Sequence, residues 1–190
     1  MTTWHWVRHG PTHQKAFTGW RDVDADLTDT SAVARLAAHL PNDALVVSSD
    51  LTRSVDTATA IQKGRTRLPH DPALREFHFG VWDGVHFSTV SDWHPDLSRA
   101  YWEQPGDVHP PGGESWNASA ARVAMAVRRI EAAYPGRHII AVAHFGVILT
   151  QVQAVLGITA QEVLAHKIDP LSVTTLNRAT GQAETINHCP

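Results

Sequence analysis

The stretch Thr3-Trp4-His5-Trp6-Val7-Arg8-His9-Gly10 is a short apolar run that ends in two basic side chains and a glycine. A short, nearly continuous apolar segment is typical of a strand buried on both faces of a parallel sheet. Arg8 and His9 then lie where the strand leaves the sheet, and Gly10 has no Cβ to keep a ligand away from the backbone. This exit places a guanidinium, which suits phosphate oxygens, beside an imidazole that is a candidate nucleophile.

Two further segments have the same strand pattern, and helical patterns separate them. The predicted strands are residues 3–7, 44–48 and 138–143. Apolar residues at helical spacing predict helices at about 32–40, from 51 onward behind an N-cap at Ser49 or Asp50, at 114–134 and at 144–155. This alternation predicts an α/β fold, a three-layer sandwich with a mostly parallel central sheet and helices on both faces.

The remaining segments break this alternation. Residues 171–176 and 183–186 flank a turn and predict a hairpin at the edge of the sheet. The segment of about 69–113 is rich in Pro, Gly, His and Trp and has no long periodic run. We therefore predict a small cap insertion over the C-terminal edge of the sheet, with short helices near Val90 and Leu97. The seven tryptophans are interpreted as core and cap packing. Residues 1–190 are expected to form a single domain.

Composition excludes several classes of partner. The 190 residues carry a formal net charge of −3, whereas a general nucleic-acid binder needs a basic surface. Cys189 is the single cysteine, so neither an internal disulfide nor a cysteine zinc cluster can form. The sequence has no secretory signal pattern and no apolar run of the roughly 20 residues that a membrane span needs. We expect a cytoplasmic protein without nucleic-acid or membrane partners. The oligomeric state, including a dimer, stays open.

The other two predicted strands also end in candidate site residues. The second is followed by Ser48-Ser49-Asp50-Leu51-Thr52-Arg53, which puts Arg53 in the first turn of a helix, and the third is followed by His144 and Phe145 at another helix start. Open α/β sheets bind ligands at the carboxyl ends of their strands, and helix N-termini favour anions. The sequence therefore predicts that two arginines and two histidines converge on one anion.

Glu76, in the segment Leu74-Arg75-Glu76, is a candidate general acid. The neighbouring Phe77, Phe79 and Trp82 would partly bury its carboxyl group and so raise its pKa. A salt bridge on a helix for Arg53 and a solvated loop carboxylate for Glu76 are the less favoured alternatives.

In order and spacing these motifs resemble the histidine phosphatase superfamily, the phosphoglycerate-mutase-like group, and within it the phosphatase branch. The resemblance covers most of the chain. The segments that carry it are Arg8-His9-Gly10, Phe17-Thr18-Gly19-Trp20, Leu27-Thr28, Ser48-Ser49-Asp50-Leu51 with Arg53, Leu74-Arg75-Glu76, Phe79-Gly80-Val81-Trp82-Asp83-Gly84, Gly112-Gly113-Glu114-Ser115 and Val142-Ala143-His144.

The resemblance implies a role for each catalytic candidate. His9 would take the phosphoryl group and become a phosphohistidine. Arg8, Arg53 and His144 would hold the phosphate oxygens. Glu76 would protonate the leaving alkoxide and then activate water. No cofactor is implied, and no metal, because the cationic side chains supply the positive charge. Thirteen histidines raise the question of a metal site, but no pair has the four-residue helical zinc spacing with a third ligand.

The resemblance also implies substrate-binding residues, namely Gly10, Thr12, Lys15, Thr18, Gly19, Arg99 and Phe145. Two of them depart from the family pattern: Lys15 stands where many members have Asn, and Phe145 where Gly usually follows the second histidine. The implied partner is a small phosphorylated metabolite, hydrolysed as a phosphomonoester. A phosphoglycerate-type mutase is an alternative, but the cap offers only Arg99 for a second phosphate. A second alternative is a module that binds a phosphorylated ligand without catalysis. The unusual Phe145 suggests this alternative, whereas the presence of Glu76 argues against it.

Overall fold

A computed structural model describes residues 1–190 and contains one mixed sheet of six strands. The strands are β1 (Thr3–Arg8), β2 (Leu45–Ser48), β3 (Thr66–Arg67), β4 (His138–Ala143), β5 (Val173–Asn177) and β6 (Gln182–His188). Their order in the sheet is β3-β2-β4-β1-β5-β6. The pairs β1–β4, β2–β4 and β2–β3 are parallel, whereas β5 is antiparallel to β1 and β6 to β5. The predicted, mostly parallel sheet and the predicted C-terminal hairpin are both confirmed.

Seven helices accompany the sheet. They are α1 (Thr30–His39), α2 (Thr52–Gln62), α3 (Phe87–Trp93), α4 (Pro95–Glu103), α5 (Trp116–Ala133), α6 (Phe145–Leu156) and α7 (Ala160–Val163). Four of them, α1, α2, α5 and α6, pack on the two faces of the sheet. Alternate strand residues feed two cores: Trp4 and Trp6 pack with α5 and α6, and Val7 packs with α1 and α2. The α/β fold with helices on both faces is therefore confirmed. None of the helices combines the length and apolar character that a membrane span requires.

The segment between β3 and α5 crosses one end of the sheet and contains α3 and α4, which confirms the two short helices predicted there. Its core is a small separate cluster formed by Phe17, Trp82, Val90 and Tyr101. Gly80 (φ +53°) lets two parts of this segment meet, because a Cβ there would lie 2.1 Å from the carbonyl oxygen of Pro111.

Local details differ from the sequence prediction at the start of α2. The N-cap residue is Leu51 rather than Ser49 or Asp50, and it makes no side-chain capping bond. Both predicted caps are engaged elsewhere, since the Ser49 hydroxyl contacts His144 and the Asp50 carboxylate pairs with Arg75. The carboxylate of Asp22 instead accepts bonds from the backbone N–H and the hydroxyl of Thr52. The two-residue strand β3 and the four-residue helix α7 were not predicted, because segments so short show no periodicity.

Candidate active site

His9 follows β1 at its carboxyl end and is buried. Its Nδ1 lies 2.7 Å from the carbonyl oxygen of Gly10, a distance at which Nδ1–H donates to that carbonyl. Nε2 is then the nitrogen that carries a lone pair. Burial and the charge of Arg53 lower the pKa of His9 to about 3, so the ring is neutral at neutral pH.

Gly10 holds the loop that follows His9. Its N–H donates to the Thr57 hydroxyl at 2.9 Å, and that hydroxyl donates to the carbonyl of Arg53. A Cβ on Gly10 would lie 2.6 Å from the side chain of Leu27, within the protein rather than toward a ligand. Packing against Leu27 therefore favours glycine at this position, which corrects the expectation that the glycine clears space for a ligand.

Arg53, near the start of α2, is 1% exposed and is fixed by three protein acceptors. Nε donates to Nδ1 of His144, Nη1 to the carbonyl of Arg21 and Nη2 to the carbonyl of Gly19. A guanidinium has five N–H donors, so two remain for a ligand. The backbone of Gly19, which accepts from Arg53, also packs closely against Phe77. A Cβ on Gly19 would lie 2.4 Å from the carbonyl oxygen of Phe77.

Arg8 is the less constrained of the two arginines. Nη1 donates to the carbonyl of Ile168 at 2.6 Å, while the buried Nε has no protein partner. The guanidinium carbon lies 5.5 Å from the centre of the Phe145 ring, which is a cation–π arrangement. Burial lowers the pKa of both Arg8 and Arg53, but an arginine remains protonated. Two cations with free donors thus flank His9.

His144, the N-cap residue of α6, is fully buried, and its ring centre lies 5.1 Å from that of His9. Both of its nitrogens have protein partners. Nδ1 accepts from Arg53, and Nε2 lies 2.8 Å from the Ser49 hydroxyl and 3.2 Å from that of Ser54. Burial and the arginine lower the pKa of His144 well below its usual value, so this ring is also neutral. His144 therefore orients Arg53, and its ring lies beside that of His9.

Glu76 is 7% exposed, and its two carboxyl oxygens accept from different backbone groups. Oε1 accepts from the N–H of Phe77 at 3.0 Å and Oε2 from the N–H of Gly146 at 3.1 Å. Burial raises the pKa of Glu76, against the opposing effect of these bonds and of Arg53 and Arg8. The carboxyl group therefore keeps its proton to higher pH than a solvated glutamate.

The backbone of Glu76 is held as firmly as its side chain. Its carbonyl accepts from Nε1 of Trp20 at 2.7 Å and from Nη2 of Arg122 at 3.2 Å. Arg122 also donates to the carbonyls of Ala73 and Arg75 and forms an ion pair with Glu114. Arg122 was missed from the sequence because it lies eight positions beyond Glu114, outside every motif.

Arg8, His9, Arg53 and Glu76 line one cavity of about 280 Å³, just below the usual range for small-molecule sites. Seven of the predicted residues line it: Arg8, His9, Thr12, Thr18, Arg53, Glu76 and Phe145. Six lining residues were not predicted as site residues: Gln14, Ala16, Phe17, Phe79, Phe87 and Trp102. Phe17 and Phe79 lie in the family motifs, Phe79 was also expected to bury Glu76, and Trp102 was interpreted as packing.

Five predicted residues are not part of this lining: Gly10, Lys15, Gly19, Arg99 and His144. Lys15 is exposed and is not part of the lining. Arg99 is 60% exposed and forms an ion pair with Asp96 on the same helix, three residues earlier. Both side chains lie outside the cavity that Arg8 and Arg53 line. The structure contains no cluster of three or more His, Cys, Asp or Glu side chains that could hold a metal ion.

The fold and the site together are those of an α/β protein in which two histidines and two arginines lie together at the carboxyl ends of parallel strands. The model of the histidine phosphatase superfamily (branch 1) matches residues 5–188. The chain therefore belongs to branch 1 of the histidine phosphatase superfamily.

Known proteins similar to this chain include phosphatases. The glucosyl-3-phosphoglycerate phosphatase of Mycolicibacterium vanbaalenii is 33% identical over 167 residues, which are 80% of this chain and 73% of that protein. A bifunctional protein of Mycobacterium tuberculosis is 36% identical over 152 residues, 73% of this chain but only 40% of that protein's length. The solved structure of mycobacterial glucosyl-3-phosphoglycerate phosphatase superposes with a TM-score of 0.84, at 26% identity, over 99% of both chains.

Proposed function

We propose that this protein is a metal-independent phosphomonoesterase that hydrolyses a small phosphorylated metabolite through a phosphohistidine on His9. The observation that supports this most is the state of His9, which is neutral, has its Nδ1–H bound to Gly10 and shares its cavity with the buried Arg53 and the half-buried Arg8. A nucleophilic nitrogen beside fixed cations is what phosphoryl transfer needs, because its catalysis is mostly positioning and charge stabilisation. The similarity to phosphatases agrees with this function.

In the first step, Nε2 of His9 attacks phosphorus and an N–P bond forms while the bond to the alcohol oxygen breaks. The free N–H groups of Arg8 and Arg53 bind the equatorial phosphate oxygens, on which charge accumulates. The Gly10 carbonyl stabilises the positive charge that develops on the imidazole, because Nδ1–H donates to it. The protonated carboxyl group of Glu76 gives its proton to the leaving oxygen.

In the second step, water attacks the phosphohistidine and the N–P bond breaks. Glu76, now a carboxylate, takes a proton from that water, which regenerates the acid for the next cycle. His144 binds no proton in either step. Its role is to hold Nε of Arg53 while the Ser49 and Ser54 hydroxyls fix its own ring. We therefore assign it as a positioning residue, a narrower role than the direct phosphate contact that the resemblance implies.

A mutase is not favoured, because the one cationic residue expected to hold a second phosphate, Arg99, is paired with Asp96 away from the cavity. A non-catalytic binding module is not favoured either. Phe145, which motivated it, stacks on Arg8 beside the cavity, and the carboxyl group of Glu76 lines that cavity.

Hydrolysis of p-nitrophenyl phosphate and of propyl phosphate, followed by phosphate release with vanadate as inhibitor, tests the proposal. We expect turnover of both substrates, loss of turnover in His9→Ala and full activity in His188→Ala, which changes an exposed histidine of β6. Tight vanadate binding without turnover would support the binding module instead, and His9→Ala activity near wild type would remove His9 as the nucleophile.

A further inference from the structure

Beyond the phosphate-binding groups, the walls of the cavity are aromatic. Five aromatic side chains line it: Phe17, Phe79, Phe87, Trp102 and Phe145. They come from three parts of the chain, namely the loop after β1, the segment between β3 and α5, and the start of α6. Separate segments thus supply one common apolar surface.

Phe17 organises this surface. It is buried, and its ring centre lies 4.6 Å from that of Phe87 and 5.0 Å from that of Phe79, both in edge-to-face geometry. The Trp102 ring lies 6.1 Å away and nearly parallel to it, at 18°. Such contacts fix the rings relative to one another. Trp102 is nevertheless 43% exposed, so one face is left for a ligand.

Every ionisable side chain that lines the cavity already has a role in the proposed phosphate chemistry. Its lining contains no lysine and no arginine other than Arg8 and Arg53. Its one carboxylic acid is Glu76. A second acidic group on the substrate would therefore face aromatic rings without a counter-ion, and burying an unpaired charge is costly. The cavity is matched to a ligand with a single anionic group.

A smaller apolar recess of about 40 Å³ continues the cavity beside Glu76. It shares Glu76, Phe79, Trp102 and Phe145 with the main cavity and adds Phe77, Tyr101, Trp116, Gly146 and Leu164. Glu76 lines both spaces. Because Glu76 delivers its proton to the leaving oxygen, the alcohol part of the substrate must lie on this aromatic side.

We infer that the alcohol part of the substrate is an aromatic or similarly apolar group without a second acidic group. This inference rests on the proposed phosphomonoesterase function and narrows its substrate class. It separates this protein from an enzyme for phosphorylated carboxylic acids, whose substrates need a further cation in the site.

Three alkyl phosphates with closely similar leaving oxygens test it: 3-phenylpropyl, propyl and 3-carboxypropyl phosphate. We expect kcat/KM for the phenyl compound to exceed that for propyl phosphate by about 10- to 100-fold, the value of burying one phenyl ring. The carboxylate should be the poorest of the three. The three alkyl alcohols are similarly poor leaving groups, so differences in kcat/KM report contacts of the substrate's side group. Aryl phosphates would add a difference in leaving-group ability.

Two tryptophan variants test which side chain produces the preference for the phenyl compound. Trp102→Ala should lower the preference for the phenyl compound by about threefold to tenfold, mainly through KM, because an aromatic contact is lost. Trp93→Ala changes a tryptophan of the same cap that is 58% exposed and outside the cavity, and it should keep the preference. An equal effect of both variants would contradict the assignment of Trp102.

Binding of 3-phenylpropylphosphonate and propylphosphonate, measured by calorimetry, separates this inference from the proposed function. Hydrolysis of all three esters at similar kcat/KM, or a preference for the carboxylate, overturns the inference alone. Tighter binding of the phenyl phosphonate without hydrolysis of any ester supports the ligand class and overturns the esterase. Equal binding of both phosphonates without hydrolysis overturns both.

Discussion

Gly146→Ala is expected to disable the general acid without touching Glu76 itself. Gly146 is the second residue of α6, and its N–H donates to Oε2 of Glu76. A Cβ there would lie 2.7 Å from Oε1 of Glu76 and 3.0 Å from the Phe77 ring. Ordinary contact begins at 3.4 Å, so the carboxyl group must move by about 3.4 − 2.7 = 0.7 Å or the helix start must shift.

Displacement of a reacting group by about 1 Å can cost on the order of 10²-fold in rate. We therefore expect kcat for propyl phosphate to fall by about 10- to 100-fold in Gly146→Ala. The fall should be smaller for p-nitrophenyl phosphate, whose leaving group barely needs a proton. Alanine is the better helix former by about 0.8–1 kcal/mol, which offsets part of the lost hydrogen bond of about 1.5–3 kcal/mol. The variant should therefore fold, with a net loss of stability of about 0.5–2 kcal/mol.

The matched control is Gly64→Ala, where a Cβ would meet nothing within 4 Å. Steady-state kinetics on both substrates, with the unfolding midpoint in urea, separates catalysis from stability. Full activity of Gly146→Ala on propyl phosphate would refute the reasoning, and so would equal losses on the two substrates.

Three further predictions concern the residues around the phosphate. Glu76→Gln should lower kcat for propyl phosphate by about 10²- to 10⁴-fold and that for p-nitrophenyl phosphate less; equal losses in steady-state assays would exclude a general acid. Arg53→Lys should weaken product inhibition by phosphate about 10-fold or more, because an ammonium cannot replace the planar contacts to His144, Gly19 and the ligand; an unchanged inhibition constant would contradict this. In a pH profile, kcat for propyl phosphate should fall as pH rises through the raised pKa of Glu76, because the protonated form is required. On the acid side, kcat should fall only near pH 3, where His9 becomes protonated. A fall at the ordinary histidine pKa of 6.5 would show that His9 is not held neutral.

The parts of the site at strand ends could be predicted from the sequence. A short apolar run identifies a buried strand, and parallel strands bring their carboxyl ends to one edge. His9, Arg53 and His144 are therefore expected together before any contact is known. Glu76 needed the additional motif around it, because it lies on a connection rather than at a strand end.

The contacts that orient these groups could not be predicted, since they depend on side chains that are distant in sequence. The Ser49 and Ser54 hydroxyls engage His144, and Arg122 reaches the carbonyl of Glu76. The aromatic lining was missed for a different reason. Trp102 looks like a packing residue in sequence, whereas its burial is incomplete and it faces the cavity.

Arg99 shows how a local contact bears on an expectation taken from the family. The resemblance implies a substrate contact, but Asp96 lies three residues earlier on the same helix, within reach of its guanidinium. That spacing is visible in the sequence. In the structure the two side chains form an exposed ion pair outside the cavity.

The central claim is that Nε2 of His9 carries the phosphoryl group during turnover. Mixing the protein with p-nitrophenyl phosphate, quenching in alkali within milliseconds and mapping the peptides by mass spectrometry tests it directly. We expect one phosphoryl group on His9, formed as fast as p-nitrophenol is released, and none in His9→Ala. Rapid p-nitrophenol release with His9 unmodified, or a phosphoryl group on another residue, would contradict the account.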